Sequence, residues 1–135
     1  MLLVEDNPID VELTRRALAR RRLLHPLEVA RDGEEALARI RSWEAGAPAP
    51  LIILLDLKLP KVNGLEVLQH LKAHVHYRVI PVIVLTTSAE VRDVESAYQL
   101  GVNSYIVKPV DFDRFVEVAE TLEHYWTAVN IPPPL

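Results

Sequence analysis

Leu51-Ile52-Ile53-Leu54-Leu55-Asp56, continued by Leu57-Lys58-Leu59-Pro60-Lys61-Val62-Asn63-Gly64, is the stretch on which the reading of this chain turns. Five consecutive apolar residues are short enough for one strand and apolar on both alternating faces, the pattern of an interior parallel strand covered on each side by helices. Asp56 ends the run. The ends of such strands face the crevice in which open α/β sheets bind their ligands. Asp56 is therefore a site carboxylate or a residue that merely opens a turn, as Asp often does. The rest of the chain decides between them.

Downstream, Asn63 followed by Glu66 sets an N-cap and its N3 partner ahead of Leu65, Leu68 and Leu71 on one helix face. Pro81 introduces Val82-Ile83-Val84-Leu85-Thr86, a second run apolar on both faces, and Ser88 is the expected cap of the next helix, through Val94, Ala97 and Leu100 to Gly101. Ser104-Tyr105-Ile106-Val107 reads as a strand ending at Lys108-Pro109, and Asp111 caps a last helix carrying Phe112, Phe115, Val116, Ala119, Leu122 and Trp126. Upstream, Leu2-Leu3-Val4 is a clipped strand ending at Glu5-Asp6, and Asn7-Pro8 starts a helix through Ile9, Leu13 and Ala17. Leu27-Glu28-Val29-Ala30 alternates as a strand, Asp32 and Glu35 form a capping box ahead of Ala36, Leu37 and Ile40, and residues 44–50 are a Gly/Pro loop. Strands and helices alternating five times predict an α/β sheet with helices on both faces and right-handed crossovers.

The 135 residues suit one domain with a real core, and half of them are hydrophobic. The chain has no cysteine, which excludes disulfides and thiolate metal sites and makes a reducing cytoplasm the expected location. Acids stand where a signal peptide needs a basic start, and no segment approaches the roughly 20 apolar residues of a membrane span. With 19 carboxylates against 15 Lys and Arg, a broad basic field for nucleic acid is lacking, so neither nucleic acid nor membrane is an expected partner.

The strand ends deliver Glu5 and Asp6, Asp56, Thr86 and Lys108 to one rim of the sheet. Three crowded carboxylates repel one another unless a cation is bound. A few hard oxygen ligands with room for water suit Mg²⁺. A lysine and a hydroxyl nearby supply the point charge and donor that a phosphoryl group needs. The set describes phosphoryl transfer to a carboxylate nucleophile.

With the acidic pair Glu5-Asp6, Leu55-Asp56-Leu57 followed by Pro60 and Gly64, then Thr86 and Lys108-Pro109, the chain resembles the receiver domain of two-component response regulators over essentially its whole length. The resemblance implies a flavodoxin-like (βα)5 doubly wound parallel sheet of strand order 2-1-3-4-5, a receiver over residues 1–127 and an extended Pro-rich tail over 128–135. It implies that Asp56 accepts phosphate from a histidine kinase. Asp6, Asp56 and the Lys58 carbonyl would ligate Mg²⁺, with Glu5 acting through water. Lys108 would pair with the phosphoryl oxygens, Thr86 and Tyr105 would form the switch, and Lys108–Pro109 would be cis. The implied protein is not an enzyme on other substrates: it catalyses only its own phosphoryl transfer and autodephosphorylation. The long 44–50 loop, Thr86-Thr87-Ser88 and His124-Tyr125-Trp126 look like single-domain regulators that partner bacterial phytochrome kinases.

Three other readings compete. A flavodoxin-type cofactor binder needs a Ser/Thr/Gly phosphate loop after the first strand, where Glu5-Asp6-Asn7-Pro8 supplies negative charge. A haloacid-dehalogenase-type phosphatase wants an acid two residues after its nucleophile, where this chain has Lys58. A pseudo-receiver, a binding module that never takes phosphate, is disfavoured by the intact acid, Thr and Lys set.

Elsewhere, the basic run from Arg15 to Arg22 is either a kinase-docking surface or, the favoured reading, a solvated face; His74 and His76 alternate as a metal pair would on a strand but lie in a polar loop and read as ordinary exposed histidines; Trp43 and Trp126 read as packing residues on helix ends, with Trp126 the better candidate for an interface. A helix from Asp111 to Val129 would be about 28 Å long at 1.5 Å per residue and is expected to project. Its Tyr125, Trp126, Val129 and Ile131, with the prolines and Leu135, would then form a homodimer contact, the alternative being a frayed tail that folds back on its own domain.

Overall fold

Leu2–Val4 (β1), Glu28–Ala30 (β2), Ile53–Leu55 (β3), Val82–Thr86 (β4) and Ser104–Val107 (β5) pair in parallel in the order β2-β1-β3-β4-β5. This computed structural model describes residues 1–19 and 26–135. Parallel neighbours require crossovers, and these include α2 (Gly33–Glu44), α3 (Gly64–Ala73) and α4 (Val91–Gln99), while α1 (Pro8–Ala19) and α5 (Phe112–His124) pack together. The expected architecture and strand order are the observed ones. Two strands are shorter than their apolar runs: Leu51 and Ile52 stay outside β3, and Leu27 outside β2. Ile52 is buried all the same.

Alternation along each strand divides the interior into two layers. Leu2, Val4, Ile53, Leu55, Val82 and Val84 face Ala36, Ile40, Val67, Leu68 and Ala97 of α2, α3 and α4. Leu3, Leu54 and Ile83 face Val11 and Leu18 of α1 and Leu122 of α5. Ala17 meets Val116 and Ala119, small side chains that let α1 and α5 approach.

Register brings the strand ends together. Val4 lies opposite Ala30 and Leu55, Leu55 opposite Val84, and Thr86 opposite Val107. The polar residues that follow these positions must therefore share one rim. Gly64 keeps that rim tight: a Cβ there would stand 2.3 Å from the Asp56 carbonyl oxygen and 2.6 Å from Leu57 Cα, so no larger residue fits without displacing the backbone beside Asp56.

Most of the expected caps form. Asn7 Oδ1 accepts from Ile9 N–H, Asp32 from Glu35, Asn63 from Glu66, and Asp111 from Asp113 and Arg114. The box at α2 closes with the Glu35 carboxylate accepting from Arg31 N–H, one residue ahead of the cap. Ser88 is not the cap of α4. Glu90 holds that position without a side-chain bond, because the Ser88 hydroxyl donates to Asp93 and accepts from Glu90 N–H, so the helix begins later. Lys108–Pro109 is trans, not cis, as are all peptide bonds among the described residues; trans is the lower-energy form even before proline.

The expected projection of the last helix is met only in part. α5 passes into a wide turn over Tyr125–Val129, closed by Asn130 N–H donating to Tyr125 O. Trp126 packs against the Leu122 layer, whereas Tyr125, Val129 and Ile131 are exposed. The tail lies back on its own domain, where Pro132, Pro133 and Leu135 line a cavity of about 20 Å³ with Pro50, Leu51, Ile80 and Pro81. No helix among the described residues is long and apolar enough to cross a membrane.

Candidate functional site

Glu5 and Asp56 are buried at the ends of β1 and β3, while Asp6 is exposed. One carboxylate oxygen from each of the three lies within 4.8 Å of the others. That proximity needs a compensating charge, and the fold supplies one. Lys108 Nζ lies 2.5 Å from Glu5 Oε1, 2.8 Å from Asp10 Oδ2 and 3.1 Å from Asp56 Oδ2. The crowding expected from the sequence is thus relieved from within.

Backbone donors fix the carboxylates. Asn7 N–H donates to Glu5 Oε2 at 3.2 Å and Lys58 N–H to Asp56 Oδ1 at 3.2 Å. Asp56 therefore keeps one oxygen on the β3–α3 loop and turns the other toward Lys108. Thr86 is fully buried at the end of β4, and its hydroxyl accepts Ser88 N–H at 3.5 Å. Tyr105 is half-buried, with its hydroxyl donating to the Ser88 carbonyl at 2.8 Å. Lys58 reaches away from the carboxylates to Asp93 on α4 at 3.4 Å.

The electrostatics follow from burial. Removal from water pushes the Glu5 carboxyl up to about 7, against the opposing hydrogen bond from Lys108, and the neighbouring Asp56 charge adds to the rise. Burial alone would lower the Lys108 ammonium, but its bonds to Asp10 and Glu5 and the Asp56 charge outweigh that and hold it above the usual lysine range. The carboxylate bears the desolvation and the lysine stays charged. Between pH 4.5, the ordinary value for Glu5, and about 7, the folded chain holds a proton that the unfolded chain has released. Stability therefore falls as pH rises through that window. Between pH 6 and 8 this group is expected to withdraw about 1 kcal/mol from the metal-free protein. Urea unfolding in chelator at the two pH values measures it, and a slope that survives in Glu5→Gln would assign it to another group.

The sequence-derived residues Glu5, Asp6, Asp56 and Lys108 come together as expected, and Thr86 and Tyr105 flank them through Ser88. Asp10 was missed. Its signal was its place in the first turn of a helix that begins at the rim, three residues after the Asn7 cap. The basic run contributes nothing to the site within the described residues: Arg15 and Arg16 are exposed, and Arg20 to Arg22 lie outside the described residues. Among the described residues His74 belongs to no cluster of three metal-capable side chains. Its Nδ1 accepts from His76 and Tyr77 N–H and its Nε2 lies 3.0 Å from Glu44 Oε1. Trp43 is buried, with Tyr77 OH donating to its carbonyl.

Residues 1–120 match the family model described as the response regulator receiver domain. The chain is 42% identical over 134 residues to the probable methanogenesis regulatory protein FilR2 of Methanothrix harundinacea, covering 98% of this chain and 86% of that one. It is 38% identical over 135 residues to the response regulator Rcp1 of Synechocystis sp., covering 98% and 92%. Among solved structures it is similar to the phosphorylated cyanobacterial phytochrome response regulator RcpA (TM-score 0.93, 38% identity, 98% and 96% covered). The Mn(2+)-bound form of Rcp1 gives 0.92 at 36% identity, covering 98% and 97%. The bacteriophytochrome response regulator AtBRR gives 0.72 at 48% identity, covering 96% of each chain.

Proposed function

Because the chain belongs to the response regulator receiver domain family, we propose that it is a two-component signalling switch that accepts a phosphoryl group on Asp56. The observation that carries this reading is the Asp56 carboxylate, buried, held by Lys58 N–H on one oxygen and facing the Lys108 ammonium with the other. The Asp56 oxygen attacks the phosphorus of a kinase phosphohistidine. The P–N bond breaks, its electron pair stays on the imidazole nitrogen, which takes up a proton, and an acyl phosphate is left on Asp56. Lys108 holds the charge that builds on the phosphoryl oxygens. Water attack on the same phosphorus would return the carboxylate and inorganic phosphate, the autodephosphorylation that closes the cycle.

Three hard oxygens within 4.8 Å fit a small divalent cation, and we assign it as Mg²⁺, held by Asp6, Asp56 and the Lys58 carbonyl with Glu5 acting through water. Bound there, it would neutralise negative charge that the incoming phosphate otherwise meets. Thr86 and Tyr105 are the proposed switch pair, since both connect to the Ser88 segment between β4 and α4. The similarity to phytochrome regulators supports a sensor histidine kinase of the phytochrome class as donor in the cytoplasm. Residues 1–127 are taken as the receiver and 128–135 as its Pro-rich tail.

Mass measurement of the intact chain after acetyl phosphate is the test. Incorporation of one phosphoryl group with Mg²⁺ and its loss in excess chelator are expected; incorporation undiminished in chelator overturns the reading. A homodimer through the last helix and tail is part of the proposal, supported by the exposed Tyr125, Val129, Ile131 and Leu135. Light scattering is expected to give a dimer for the full chain and a monomer after truncation at Glu123. A full chain that stays monomeric at tens of micromolar, phosphorylated or not, removes it.

A further inference from the structure

Three hydrogens of the Lys108 ammonium have three carboxylate partners, on Glu5, Asp10 and Asp56. Glu5 and Asp56 belong to the group of acids whose oxygens converge; Asp10 does not. It stands in the first turn of α1, a separate element from the strand ends, and reaches Lys108 at 2.8 Å. The contact is sheltered, with the Lys108 and Asp10 side chains 6% and 19% exposed, so solvent and salt screen it poorly. An ammonium has no fourth hydrogen. A phosphoryl group arriving on Asp56 brings new acceptor oxygens and added negative charge, and it can bind Lys108 only by displacing an acceptor already there.

We infer that Asp10 competes with the phosphoryl group for the Lys108 ammonium, and that this carboxylate sets how readily Asp56 takes up and keeps a phosphoryl group. Glu5 and Asp56 belong to the phosphoryl site itself and stay with it. Asp10 has no such part, and it is the acceptor outside the phosphoryl site that contends with the phosphoryl oxygens for the ammonium. It is a positioning residue acting through the lysine. A chain with Asp10 intact has all three ammonium hydrogens engaged; a chain without it leaves one of them for the anion. The inference rests on the reading of Asp56 as acceptor and adds to it a residue that tunes the equilibrium.

The test titrates the full chain, in saturating Mg²⁺, with beryllofluoride as a tetrahedral stand-in for the phosphoryl group, by calorimetry. Asp10→Asn and Asp10→Ala are each expected to bind it about three- to tenfold more tightly than wild type, the worth of one charge-assisted contact at a largely buried ammonium. Asp10→Glu, which keeps a carboxylate on the lysine, should return toward the wild-type value. Glu12→Gln removes the same charge from the same helix, where Glu12 pairs with Arg16 instead. That variant should stay within about twofold, since exposed charges act weakly through solvent. Unchanged or weaker binding in both Asp10→Asn and Asp10→Ala overturns the inference. An equal gain in Glu12→Gln overturns it as well, because the effect would then be one of net charge. Wild type that binds no beryllofluoride at all overturns the proposed function along with it, whereas wild-type binding with no difference between variants leaves that function standing.

Discussion

Asp56→Asn is expected to abolish phosphoryl uptake and leave the fold in place. The replacement has nearly the same shape, and its amide oxygen still accepts the Lys58 N–H that Asp56 Oδ1 accepts now. What it removes is the anionic oxygen that faces Lys108 at 3.1 Å, and an amide oxygen is too weak a nucleophile to displace an imidazole from phosphorus. Lys108 keeps Glu5 and Asp10 as partners, so no buried ammonium is stranded. Loss of the phosphoryl mass increment with a cooperative melt near that of wild type is the expected pair of results. Incorporation undiminished in Asp56→Asn would move the acceptor to another side chain.

How much of this was legible beforehand depended on how local each cause was. Interior strands announce themselves because burial on both faces favours an unbroken apolar run, as from Val82 to Leu85 in a strand buried throughout. Caps were legible where a side chain bonds its own helix, at Asn7, Asp32, Asn63 and Asp111. A local pattern does not show a side chain's choice where that side chain has a distant alternative. Ser88 has the sequence of a cap, but Asp93 takes its hydroxyl and Tyr105 donates to its carbonyl, and neither pairing shows in a local pattern. Asp10 and Lys108 are 98 positions apart and meet only because α1 and β5 converge on one rim. Trp126 looked like part of a projecting anchor, and the Leu122 layer gives it a closer partner.

That convergence also fixes what removing the lysine would do. From the sequence, three crowded carboxylates imply a metal-free site under repulsion, relieved by deleting an acid. The structure puts an ammonium in their midst, so the damaging change is the deletion of Lys108. Lys108→Ala leaves Glu5 and Asp56 buried without their counter-charge, and stranding one side of a buried ion pair costs about 3–5 kcal/mol. The metal-free variant should lose stability in that range by urea unfolding. The loss should be larger at pH 8 than at pH 5, because Glu5, already pushed up to about 7 beside the lysine, can escape the penalty at low pH by taking a proton. A divalent cation offers the other escape. Mg²⁺ at a hundredfold excess over its dissociation constant stabilises any chain that binds it only when folded by about 2.7 kcal/mol. Without an ammonium competing for the same oxygens, Lys108→Ala should bind it more tightly and gain more than wild type at equal Mg²⁺. A loss below about 1 kcal/mol, the level of an exposed ion pair, would mean that Lys108 does not neutralise these acids. Equal gains from Mg²⁺ in the two proteins would mean that the lysine and the metal do not share them.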